Sequence, residues 1–226
     1  VGGSVVVVTV VVVVMVVVCW SVKGGVGVTS VATAMGLALA RRGGPPVLLV
    51  DLGGDVPACL GIAEPEGPGL GEWSAAGAEA PPPSLGRLAT AVGPGIDLLA
   101  RGAGEVTAER AAVLVQVLAA EDRPVVVDAG PPGSPAGLRM AAEADRSLLI
   151  LRPCLLALTR CRRLPVRPSG VVLVRDPGRA VRSADVAEVV GAPVVAEVAV
   201  DPAVARAVDA GLARTRQTGC CGLSRS

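Results

Sequence analysis

Apolar residues in this chain come in short solid blocks, each closed by a polar or glycine-rich break, and not in strict alternation. Val12–Trp20, Val47–Asp51 (VLLVD), Ile96–Ala100, Val125–Asp128 (VVVD), Ser147–Arg152 (SLLILR), Val171–Val174 and Val194–Val198 are such blocks. Solid runs of this length, rich in β-branched residues, are what strands buried on both faces look like. Helical stretches lie between them. Ser30–Arg42 is alanine-rich and stops at Gly43-Gly44-Pro45-Pro46, and Ala108–Ala120 is a second helix. A last helix starts at Asp201-Pro202, with Val204, Val208 and Leu212 on one face and Arg206, Asp209 and Arg216 away from it. Strands alternating with helices predict an α/β fold: a doubly wound, mainly parallel sheet with helices on both faces. Residues 61–95, rich in Gly, Pro, Ala and Glu, predict a surface segment with a short helix around Leu70–Ala76, in which Trp73 covers the core.

The first block is longer than one strand. Val5 to Cys19 is fifteen residues with only Thr9 polar. A typical strand has about 5–6 residues and a bilayer span needs roughly 20. No basic stretch precedes the run as one does in a signal peptide. Residues 1–11 therefore read as an extension or extra strand, 12–216 as one domain, and 217–226 as a flexible tail. Composition narrows the chemistry. Phe, Tyr and His are absent, so the core must be aliphatic apart from two tryptophans. The commonest general base and metal ligand is missing with histidine. Cys19, Cys59, Cys154, Cys161, Cys220 and Cys221 form no C-x-x-C pair and read as reduced thiols of a cytosolic protein. A net charge of +1 gives no strong field, and no specific nucleic-acid partner is expected.

The candidate chemistry centres on Cys19–Ser30, CWSVKGGVGVTS. A strand runs into a glycine loop, Lys23–Gly27, and a helix leaves it. Glycines let backbone N–H groups approach phosphate oxygens, and the helix N-terminus adds partial positive charge. The usual loop reads G-x-x-x-x-G-K-[ST]. Here Gly27 is followed by Val28 and Thr29, and the chain's single lysine, Lys23, stands at the start of the loop. Thr29 also reads as a helix N-cap. Two further blocks end in acids, Asp51 and Asp128, at the strand edge where ligands bind in open α/β sheets.

KGGVGVTS resembles the deviant Walker A loop, KGGxGK[ST], of the ParA/MinD family of P-loop ATPases, and the likeness extends over roughly residues 12–216. The resemblance implies that Lys23, Gly24, Gly25, Val26, Gly27, Val28, Thr29 and Ser30 hold ATP. It implies that Lys23 reaches across a nucleotide-sandwich homodimer, and makes Lys23 and Asp51 the catalytic candidates. Thr29, Asp51 and Asp128 become the residues that attend Mg²⁺, Asp51 as the Walker A′ and Asp128 as the Walker B aspartate. Where the family has its second loop lysine this chain has Val28, which is similar to the CpaE/TadZ branch and to septum-site-determining-like proteins. That branch implies a cytoplasmic scaffold, polar or septal and peripheral to the membrane, which recruits a protein partner of a pilus or division machine. A weak membrane association through the last helix is the alternative to a helix docked on the sheet.

Departures from the family pattern affect turnover. Gly53 stands where the family often has a second acid, and Asp55, also readable as a turn or cap residue, is the nearest substitute. No asparagine lies near Val174 to read adenine. Absence of tyrosine separates the chain from tyrosine autokinases of the same superfamily. Three functions stay open at this level: an ATP-binding scaffold with weak or no hydrolysis, an active ParA/MinD-type ATPase, and a nucleotide-free interaction module.

Overall fold

The computed structural model describes residues 15–176, 181–200 and Arg206. The extension at 1–11, the last helix apart from Arg206, the tail, and Cys220 and Cys221 lie outside the described residues. The described strands are β1 (Val16–Trp20), β2 (Val47–Asp51), β3 (Thr90–Gly93), β4 (Ile96–Leu99), β5 (Val125–Asp128), β6 (Arg146–Leu151), β7 (Gly170–Arg175) and β8 (Val194–Ala199). They form an eight-stranded sheet in the order β3-β4-β2-β5-β1-β6-β7-β8. Every pairing is parallel except β3 with β4.

Helices α1 (Val28–Ala40) and α2 (Val56–Leu60) pack on one face of the sheet, with Ala32, Leu37, Val56 and Leu60 against Leu49, Val126 and Ile150. The other face carries α3 (Leu70–Ala75), α4 (Ala108–Ala119), α5 (Pro135–Glu143), α6 (Leu155–Cys161) and α7 (Ser183–Val190), seated on Val18, Trp20, Leu48, Val50 and Val127. The central strands are covered on both sides, which is why their sequences are solid and not alternating. All five residues of β1 and all five of β2 are buried.

Strand ends agree with the sequence to within about one residue at β2, β5 and β8. Three expectations change. The first helix starts at Val28, not Ser30, and its N-cap is Gly27, not Thr29. Gly27 has φ +94°, a left-handed conformation that glycine takes without steric penalty. The 61–95 segment contains, after α3, two 3-10 turns (Gly77–Glu79 and Pro82–Arg87) and then the antiparallel edge strand β3. Helices α5, α6 and α7 fill crossovers that carried no assigned element. Trp73 is buried in the core as expected, with the Arg110 guanidinium 3.5 Å from its ring centroid.

Candidate functional site

Both loops that matter leave the carboxyl ends of parallel strands at the centre of the sheet. Chain order switches sides there: β1 lies between β5 and β6, and β5 lies between β1 and β2. Crevices at such switch points are where open α/β sheets bind ligands. A cavity of about 510 Å³ opens at this point. Its walls are the glycine loop and first helical turn, including Gly24, Gly25, Gly27 and Thr29, and, across from them, Gly53, Asp55 and the Gly130–Pro132 loop.

The glycine loop has the open backbone a phosphate needs. A Cβ built on Gly24, Gly25 or Gly27 would meet nothing within 4 Å, so the loop surface is free of neighbouring chain. Gly25 and Gly27 both have positive φ, at 70° and 94°. No side chain caps α1 and no acid sits in its first turn. The leading N–H groups of an α-helix have no partner within the helix, so those of α1 are available to an anion in the cavity.

Asp51 and Asp128 are register partners on adjacent parallel strands, so their side chains share one face. Both are buried, at 0% and 1% exposure, and neither lines the cavity directly. Asp51 is occupied by its own loop. Its Oδ1 accepts from the Gly53 and Gly54 N–H groups at 2.9 and 2.7 Å, and its Oδ2 from Val56 N–H at 3.0 Å. Burial nevertheless pushes its carboxyl up to about 6; the three N–H bonds oppose the rise and the Asp128 charge adds to it. Asp128 Oδ1 accepts from Gly130 N–H at 3.0 Å, and its Oδ2 is buried without a hydrogen-bond partner. Burial also raises the Asp128 carboxyl, while the neighbouring Thr29 hydroxyl and the Gly130 N–H pull it down.

An orphaned, buried carboxylate oxygen beside a threonine hydroxyl is what a water of a hydrated divalent cation would satisfy. Among the described residues no three acid, thiol or imidazole groups come together as a metal cage. Thr29 and Asp128 are the residues that could hold such an ion. Asp51 is placed to hold the loop that faces it.

The structure thus gathers Gly24, Gly25, Val26, Gly27, Val28, Thr29 and Ser30 into one wall, with Asp51 and Asp128 behind. The Lys23 side chain does not join that wall. Its carbonyl accepts a 2.9 Å bond from the Ser21 hydroxyl. Asp55 occupies the N-cap position of α2 without making a capping bond, and it is exposed to the cavity. Cys59 is a wall residue the sequence did not indicate. Burial raises its thiol, as it raises that of Cys19, pushed up to about 12 beside Asp128, so both are unreactive as nucleophiles.

No protein-family model matches the chain, and no curated protein matches it. Solved structures do. The ParA family ATPase of Chlorobium tepidum TLS is similar with a TM-score of 0.73 at 21% identity, over 88% of this chain and 91% of that one. The cell division ATPase MinD of Pyrococcus furiosus gives 0.73 at 19% identity, over 92% of each chain. The septum site-determining protein MinD of Pyrococcus horikoshii OT3, in complex with Mg-ADP, gives 0.69 at 17% identity, over 88% and 86%. The fold is that of the P-loop nucleoside triphosphatases, in the form these ParA and MinD ATPases share. No described helix is long and apolar enough to cross a membrane.

Proposed function

We propose that the chain is an ATP- and Mg²⁺-binding positional scaffold of ParA/MinD type, with little or no hydrolysis, that works as a homodimer and recruits a protein partner of a pilus or division machine. One observation carries the binding half of this reading. The uncapped N-terminus of α1 and the open glycine loop line a crevice behind whose opposite wall, 3.7 Å from a Cβ built on Gly53, lies the unpartnered Asp128 Oδ2. Backbone N–H groups of residues 24–30 would hold the phosphates, and Thr29 and Asp128 would attend the metal. A bound magnesium ion supplies charge neutralisation on the phosphates. Asp51 fixes the loop from Gly53 to Val56 opposite them.

Weak turnover follows from what is missing. Val28 contributes no charge where the family has its second lysine, and removal of one electrostatic stabiliser slows such reactions about 10²–10³-fold. Gly53 contributes no acid to position water. Lys23 stands outside the wall of its own cavity, which suits a role toward a second copy. Polar or septal placement and peripheral membrane association belong to the same reading. A nucleotide-free interaction module draws support from Val28, but it leaves the buried, orphaned Asp128 oxygen without a purpose. Thermal unfolding with millimolar Mg-ATP, ATP in EDTA, and Mg²⁺ alone tests the proposal. A rise in Tm with Mg-ATP larger than with either component is expected, because a ligand at about 100 times its Kd adds about 2.7 kcal/mol. Identical melting in all three conditions would reject nucleotide binding.

A further inference from the structure

A second cavity, of about 740 Å³, lies beside the nucleotide crevice between the loop after β5, helix α5 and helix α6. Trp20, Leu138 and Pro165 give it an apolar floor and side. Its rim is cationic: Arg160, Arg162 and Arg163 all line it, and among the described residues no Asp or Glu does. Arg160 is fixed there by donating a 2.8 Å bond to the Val22 carbonyl. Arg162 and Arg163 are exposed, and their side chains make no ion pair or hydrogen bond among the described residues.

The apolar surface continues outward along α6. Leu155 is 84% and Leu156 49% exposed, the two most exposed large apolar side chains described. One turn further on, Thr159 and Arg160 carry that face into the cavity. The opposite side of α6 is spent on the core, through Ala157 and Cys161. A protein with a net charge of +1 thus concentrates three arginines around an apolar slot that ends in two projecting leucines. Exposed apolar area rimmed by polar groups marks an interaction site, and arginine is over-represented where carboxylates are recognised.

We infer that this groove docks an acidic peptide segment of a protein partner, with an apolar anchor against Trp20 and Leu138 and carboxylates on Arg160, Arg162 and Arg163. The concave shape suits a chain segment more than a flat lipid surface, and no exposed aromatic lines it for stacking nucleic-acid bases. Ser21 and Pro132 belong to the walls of both cavities, so a docked segment touches the loop that faces the phosphates. The inference deepens the recruiting role proposed above and rests on it for the choice of a protein partner. It does not depend on nucleotide.

The test is a display selection of random 12-residue peptides on the full chain in nucleotide-free, EDTA-containing buffer. A labelled consensus peptide is then titrated by fluorescence anisotropy. Selected sequences should be rich in Asp and Glu around one large apolar residue. Arg162→Glu/Arg163→Glu should weaken the peptide at least tenfold, while Arg41→Glu/Arg87→Glu, the same change of charge at exposed positions elsewhere, should weaken it less than threefold. Circular dichroism confirms that both variants are folded. A selection that yields no sequences, basic sequences, or sequences indifferent to Arg162 and Arg163 overturns the inference. So does tighter, Arg162- and Arg163-dependent binding of a thymidine oligonucleotide or of phosphatidylglycerol vesicles. Failure here leaves the melting shift with Mg-ATP unaffected, so the two proposals fall separately.

Discussion

Asp128→Asn should make the metal-free protein more stable while removing its response to magnesium. Asp51 and Asp128 are register partners on neighbouring strands, which lie about 4.8 Å apart. Two like charges at that separation repel by about 3 kcal/mol at an effective dielectric of 20. Asp128 Oδ2 is in addition buried without a partner, a state that costs about 1–3 kcal/mol. The two terms describe largely the same charge and do not add. The amide keeps an oxygen for Gly130 N–H, removes the charge, and turns the orphan acceptor into a donor on the strand next to Asp51. A net gain of about 1–3 kcal/mol is expected, or about 3–9 °C in Tm for a chain of this size. Differential scanning calorimetry in EDTA near pH 8, above the Asp51 value of about 6, reads it directly. The same variant should show no extra stabilisation by Mg-ATP over ATP in EDTA. A variant less stable than wild type by about 1 kcal/mol or more in EDTA would refute the reasoning, because the Asp128 charge would then be satisfied within the fold.

Three further outcomes follow from local geometry. Gly71→Ala places a Cβ 1.9 Å from the Ala103 carbonyl oxygen, so α3 must leave the 101–104 loop; urea unfolding should show a loss of about 2–4 kcal/mol. Glu72 accepts from Gly69 and Ala103 N–H at 2.8 and 2.9 Å, which holds its carboxyl below the usual range. Its folded value lies below its unfolded one, so the stability it adds is present above about pH 4.5 and lost as pH falls through the folded value. Glu72→Gln should therefore cost about 0.5 kcal/mol at neutral pH, after solvent screening, and nothing once Glu72 is protonated in wild type. Gly53→Asp puts a third carboxylate on a Cβ 3.5 Å from Asp51 Oδ1 and 3.7 Å from Asp128 Oδ2; in EDTA it should lower Tm, and high salt should recover little of the loss because the pair is buried.

How much of this was legible beforehand differs by element. VLLVD and VVVD announced β2 and β5 because strands buried on both faces carry no polar positions to blur them. The edge strand Thr90–Gly93 was not legible. It is half exposed, contains glycine, and is held by antiparallel pairing to β4, a partner no local pattern reveals. Helix α5 did carry a signal. Ser134 caps it by accepting from Gly137 N–H at 3.0 Å, and Pro135 stands at its first turn, a start signature present in Gly133-Ser134-Pro135. Helix α6 had no such mark: no side chain caps it and Leu155 and Leu156 face outward, so its pattern is not that of a docked helix.

The site divides in the same way. The contiguous glycine loop was readable, because its residues meet through sequence alone. The placement of Asp55, Cys59 and the Gly130–Pro132 loop opposite it depends on the insertion of β5 between β1 and β2, which only the topology supplies.

Binding without turnover is open to titration calorimetry of Mg-ATP with phosphate release read in the same samples. Wild type, Lys23→Ala and Val28→Lys are measured side by side. Magnesium-dependent binding by wild type is expected, with weaker binding by Lys23→Ala, phosphate release at background in both, and release raised by up to about 10²-fold in Val28→Lys. No heat of binding from wild type at millimolar nucleotide, or wild-type turnover matching that of Val28→Lys, would contradict it.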